Sequence, residues 1–288
     1  MVVRSAFVIG VTTFWPDLAY FAEHAGVLLM FAAMTIASIF QFKLHRRKIA
    51  LILGNRLTPS QLALSVAVAL LLLMLTFGES AVFTMAAAQY NLETAYSLGK
   101  FHSEAYGSHP FLSVHVLTFV FSSVILPGIV EEFFFRGLVF RSFNERHSFL
   151  VSAALTAVLF TAIHAFKTIY IGTFIFSFVL SYLYATTRSL RTCMVAHATF
   201  NLLAFVNQHF FDFHRIRGIN ELKEWHHWIP QLAMLGSALI AFGWMIHISR
   251  DAIKHASLPA LPPVQHADEK QRRTEIHEGS EPTHLHSS

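Results

Sequence analysis

The chain alternates between long apolar runs and short polar clusters. The runs cover residues 18–42, 60–87, 111–140, 149–166, 168–186, 192–211 and 228–248. None alternates with period two, and apolar stretches near ~20 residues are the mark of helices that cross a membrane. The pattern therefore predicts an all-α polytopic membrane protein with about seven transmembrane helices. The third run is too long for the others' geometry: as one straight helix, 111–140 would reach ~45 Å across a hydrocarbon core of ~30 Å. A broken helix is expected there, and Pro127-Gly128 supplies the place, because proline lacks an amide hydrogen and crowds the turn before it.

Composition agrees with that picture and removes other classes. Hydrophobic residues make up 54% of the chain and charged residues only 13%, against roughly 25% charged in an average soluble domain. Cys193 is the single cysteine, which excludes an intrachain disulfide or a cysteine-rich metal site. The formal net charge of +4 comes from Lys and Arg gathered in short loops, a signature of membrane orientation rather than of nucleic-acid binding. The densest basic cluster, Lys43 to Lys48, is read as cytoplasmic, with the N-terminus outside; Arg141 and Arg146, Arg188 and Arg191, and Arg250 and Lys254 mark the later inner segments. The mixed-charge stretches 89–109 and 211–227 are read as outer loops. No removable targeting segment is read at the start. The basic loops point to a bacterial-type inner (plasma) membrane.

Four regions follow: an N-terminal two-span region (1–110), a four-span core (111–211), an outer loop with the last transmembrane helix (212–249), and a disordered cytoplasmic tail (250–288). The tail turns polar from Ser257 and carries His266, His277, His284 and His286 without a spacing that fixes metal geometry.

Ionisable residues inside apolar runs are the candidates for chemistry, since each needs pairing or a wet cavity at bilayer depth. The third run holds Glu131, Glu132 and Arg136. On a helix Glu132 and Arg136 share a face, whereas Glu131 is rotated ~100° from that line. Glu132 is thus expected to pair with Arg136, and Glu131 to be the carboxyl that exchanges a proton. A buried ion pair that only fixes packing is the plainer reading of the same residues. Two further intrusions are Phe160 with His164 and His197 with Asn201, each four apart and on one helical face. Taken singly, an intramembrane histidine is more often a hydrogen-bonded packing residue.

In this order, Glu-Glu-x-x-x-Arg, Phe-x-x-x-His and His-x-x-x-Asn on three apolar segments resemble the CAAX prenyl endopeptidases, the CPBP family of intramembrane proteases that includes the bacteriocin-processing Abi proteins. The resemblance spans about residues 111–211. It implies a catalytic centre of Glu131, His164, His197 and Asn201, with Glu132, Arg136 and Phe160 in support. It also implies a hydrolase acting on a membrane-associated peptide, prenylated or a precursor, within the lipid bilayer and without nucleic acid. Peptide hydrolysis needs an activated water and oxyanion stabilisation. Glu131, helped by His164, can take the proton, and His197 with Asn201 can point two donors at the carbonyl oxygen.

Three alternatives use the same residues. Glu131, His164 and His197 make a two-histidine, one-carboxylate set suited to zinc, in line with the family's metalloprotease label; no HExxH motif fixes two ligands on one helix, so a metal-free, glutamate-based reaction with no cofactor is favoured. Cys193, His197 and Asn201 mimic a thiol-protease trio, although a lone cysteine on an apolar helix is usually a small buried hydrophobe. A proton-coupled transporter or scaffold would use the intramembrane charges differently and would account for Glu23, Glu79, His115, His209 and His247, which the motifs leave over. Straight helices also place His197, Glu131 and His164 at depths spread over ~13 Å, so a bend or a displaced fourth span is expected.

Overall fold

The computed structural model describes residues 19–96, 114–164, 170–211 and 219–248, together with positions 8, 11, 13 and 14. Sequence expectations for the tail, for 97–113 and for 212–218 lie outside the described residues. Among the described residues there is no β-strand, only helices joined by short turns and one isolated bridge. Helix α1 is Ala19–Phe42, α2 is the short Arg46–Leu53, and α3 is Pro59–Tyr90. Helix α4 runs through residues 114–144, followed by α5 (Phe149–Ile163), α6 (Tyr170–Thr187), α7 (Leu190–Val206) and α8 (Ile229–Ile248). Local chemistry sets several of these ends. Thr58 and Gln61 form a reciprocal capping box at the start of α3, with Pro59 in the first turn, where its missing amide hydrogen is harmless.

Four stretches are long and apolar enough to cross a membrane: His24–Phe42, Pro59–Tyr90, Val116–Asn144 and Trp225–Ile248. Phe149–Ile163, Ile171–Thr187 and Leu190–Val206 are apolar but shorter. At ~1.5 Å per residue these three reach only ~22–26 Å. His164 stands just beyond the last residue of α5.

The expected break at Pro127-Gly128 is not there. Helix α4 is continuous and instead changes winding, with π-helical stretches at Val120–Ile125 and Phe133–Phe140 on either side of the α-helical Leu126–Glu132. Ile125 and Leu126 keep ordinary helical angles. A wider turn just before the proline accommodates the ring and the missing donor without ending the helix. Gly128 has a different task from the one its neighbour suggested. A Cβ there would stand 3.1 Å from the Ala198 Cβ and from the Met194 carbonyl oxygen, so glycine lets α7 approach α4 closely, as small residues do between membrane helices.

The outward face of α4 carries Leu117, Phe121, Ile125 and Ile129, four apart and all exposed, as expected of a stripe turned to lipid. Its inward face meets α5, α6 and α7 in a core that includes Phe135, Leu138, Phe160, Phe176, Leu180, Leu190 and Ala196. Helix α3 crosses behind α7, where the Ser65 hydroxyl donates to the Thr192 carbonyl at 2.9 Å.

Candidate functional site

Both glutamates of the pair are buried, because α4 is covered on two adjacent faces. Glu132 is fully buried toward α6 and α7, and Glu131 is 5% exposed on the side of His164. The i, i+4 rule holds for the first contact: Arg136 Nη1 donates to Glu132 Oε1 at 2.8 Å. The same Oε1 accepts from His197 Nδ1 at 2.7 Å. Arg136 is anchored further by donating Nη2 to the Ser177 carbonyl at 2.9 Å, and its guanidinium lies 4.9 Å from the centre of the Phe160 ring. Two charges that would be costly at this depth are thus paired and hydrogen-bonded on three helices.

Glu131 faces the other way. Its Oε2 stands 4.0 Å from His164 Nε2. His164 Nδ1 lies 2.7 Å from the Phe160 carbonyl, an oxygen that can only accept, so Nδ1 carries a hydrogen and Nε2 is the nitrogen that faces Glu131. The carboxyl and the imidazole share a space in which a proton, or a water between them, could pass from one to the other. Phe160 packs against His164 at 4.5 Å between centroids and lies 6.4 Å from the His197 ring. It thereby separates the Glu131 side of the site from the Glu132 side.

The two residues read as paired oxyanion donors have different partners. His197 Nδ1 is engaged by Glu132, and Asn201 Nδ2 donates to the Ser123 carbonyl at 3.1 Å. Ser123 lies four residues before Pro127, so its carbonyl is the one that the missing proline N–H would have bonded in an α-helix. Asn201 occupies that place. His197 Nε2 and the second amide hydrogen of Asn201 are the groups of this pair left to meet a substrate.

The thiol trio does not form. Cys193 is wholly buried, and its Sγ donates to the Leu180 carbonyl at 3.4 Å, away from His197. Among the described residues no three His, Cys, Asp or Glu side chains gather closely enough to hold an ion, and the Nδ1 of His197 is turned to Glu132 rather than to Glu131.

Of the polar residues that the motifs left over, Glu79 is buried in α3 and accepts the Gly172 amide hydrogen at 2.6 Å. It thereby caps the first turn of α6 from another helix. His247 is exposed. The side chains of Glu23, His115 and His209 lie outside the described residues.

Sequence reasoning missed Phe176, whose ring lies 4.9 Å from that of His197, since one phenylalanine among 29 carries no signal. It also missed the Ser122-Ser123 pair. A clue was present there: two hydroxyls one turn before a proline in an apolar run mark a place where backbone carbonyls need help.

Residues 113–203 match the family model described as Type II CAAX prenyl endopeptidase Rce1-like. That stretch contains all three motifs and every site residue named above from Glu131 to Asn201. No curated protein and no solved structure matches the chain.

Proposed function

We propose, for a chain whose residues 113–203 match the Type II CAAX prenyl endopeptidase Rce1-like model, that it is a glutamate-dependent intramembrane endopeptidase cutting a membrane-associated peptide. The observation that carries this reading is the approach of Glu131 Oε2 to His164 Nε2, 4.0 Å apart on different helices, beside a Glu132 carboxylate that already holds both Arg136 and His197. Glu131 takes a proton from a water lying between it and His164, and the resulting hydroxide attacks the scissile carbonyl. His164, held by its Nδ1 on the Phe160 carbonyl, keeps that water in place. The developing oxyanion is met by the second amide hydrogen of Asn201 and by Nε2 of His197 when that ring carries both protons. Glu132 and Arg136 fix the rotation of α4 and hold His197 by its other nitrogen, so these donors need little reorganisation in the transition state. The leaving amine collects its proton from Glu131. Every step is drawn through side chains of the chain itself.

The substrate class follows from the membrane setting and the family: a peptide tethered by lipid or by an apolar segment, prenylated or a precursor. The test is cleavage of such peptides by the purified chain in lipid nanodiscs, with Glu131→Gln as the comparison. We expect wild-type cleavage that survives exhaustive chelation, and a loss in kcat of ~10²–10⁴ in Glu131→Gln with unchanged thermal melting, the usual range for removal of a general base. Turnover near wild type in Glu131→Gln, or activity lost to the chelator and restored by zinc, would overturn the glutamate scheme.

A further inference from the structure

Every group used in the reaction scheme lies between residues 114 and 211, yet one short buried contact ties that stretch to α1. His24 is buried in α1, and its Nδ1 stands 2.7 Å from Ser122 Oγ, 98 positions away in sequence. The Phe119 ring lies edge-on to the imidazole, with centroids 6.2 Å apart. Ser122 belongs to the π-helical stretch Val120–Ile125. The carbonyl of the next residue, Ser123, is the one that accepts from Asn201.

This stretch is therefore gripped from two flanks. On one, His24 takes the Ser122 side chain. On the other, Asn201 takes the Ser123 carbonyl. π-Helical backbone is rare and occurs mostly as single wide turns inside α-helices, often at functional sites. Pro127 favours the wide turn by withholding a hydrogen bond, but that absence alone does not choose which way the loosened carbonyls point. Ser122 Oγ also lies 3.4 Å from the Phe119 carbonyl and from Ser123 Oγ, so its 2.7 Å contact with His24 is the shortest of the three and the one that leaves the helix. The Asn201 amide has one hydrogen committed to the Ser123 carbonyl, so its remaining hydrogen is aimed by the same bond.

We propose that His24 is a positioning residue for Asn201, acting through Ser122 to hold the π-helical stretch in the rotation that presents the Ser123 carbonyl to the Asn201 amide. The inference rests on the endopeptidase reading for its consequence in catalysis, and on hydrogen-bond geometry alone for the link itself.

Two readouts on the full chain in nanodiscs test it. The first is kinetic. His24→Leu and Ser122→Ala should each lower kcat by ~10- to 100-fold, as small displacements of a catalytic group do, with KM little changed. His24→Asn should retain most of the activity, because its amide places a hydrogen-bonding atom where Nδ1 stands. In an Asn201→Ala background, His24→Leu should add almost nothing, since residues that act through one another are not additive. Independent, multiplying losses would overturn the proposal. The second readout needs no activity: amide hydrogen exchange across residues 119–126 should quicken in His24→Leu and in Ser122→Ala while that of 149–163 stays as in wild type. Unchanged exchange in 119–126 would also overturn it. Faster exchange there, in a chain with no Glu131-dependent cleavage, would defeat the endopeptidase reading and leave the His24 link standing.

Discussion

Helix α4 buries two arginines, and they do different things. Arg136 is 0% exposed and Arg141 2% exposed, so burial does not distinguish them. Their partners do. Arg136 meets a carboxylate that also holds His197, and it reaches α6 through the Ser177 carbonyl. Arg141 Nη1 donates to two neutral oxygens, the Leu51 carbonyl at 3.2 Å and the Tyr184 hydroxyl at 3.0 Å. Tyr184 in turn donates to the Ile52 carbonyl at 2.8 Å. These are last-turn carbonyls of α2, left without helical partners as at any helix C-terminus. Arg141 and Tyr184 therefore staple α2 to α4 and α6, whereas Arg136 holds a buried carboxylate that also grips His197. A buried arginine is thus weak testimony of a site on its own. A buried arginine whose carboxylate partner also holds a histidine is much stronger.

The comparison can be broken by substitution on each side. Glu132→Gln should have the largest effect on stability, about 3–5 kcal/mol, because it leaves the Arg136 charge buried beside a neutral amide. It should also slow turnover by loosening His197. Unfolding in detergent and kcat, measured on the same preparation, check both. If melting does not move, the ion pair contributes nothing and the two arginines are alike after all.

Arg141→Met should destabilise less, by about 1–3 kcal/mol, the range for leaving buried acceptors without their donor. Cleavage per folded molecule should stay near wild type, and that is the sharper half of the prediction. A fall in kcat without a fall in stability would make Arg141 part of the site. The smallest change is expected from Tyr184→Phe, ~0.6 kcal/mol, the average for one side-chain hydrogen bond between membrane helices. Thermal melting in one lipid composition would detect it. A loss of several kcal/mol would mean that the α2 staple depends on the phenol more than on the guanidinium.

Much of the fold and part of the site could be read from the residues in order. The apolar runs correspond to helices α1 and α3 to α8, and the Glu132–Arg136 pair forms as its spacing requires, because both properties depend on neighbours within a turn or two of the chain. The motif residues lie in the stretch 113–203 that matches the family model. Local rules failed where a distant partner could substitute for a local one. Pro127 signals a break, yet α4 continues, with π-helical winding before the proline and the Ser123 carbonyl accepting from Asn201 of α7. Gly128 reads as part of that break, yet its missing Cβ serves the approach of α7.

What the amino-acid order determined by itself is the set of helices, the paired charges on α4 and the spacing of His164, His197 and Asn201. Only the tertiary structure decided that His197 shares the oxygen of Glu132 that Arg136 holds, that Glu131 turns to His164, and that His24 reaches Ser122. These contacts join residues separated by 33 positions for Glu131 and His164, 65 for Glu132 and His197 and 98 for His24 and Ser122. Helical periodicity fixes which face a side chain occupies on its own helix. It carries no information on which other helix that face will meet, and close packing across α1, α4, α5 and α7 supplies the answer.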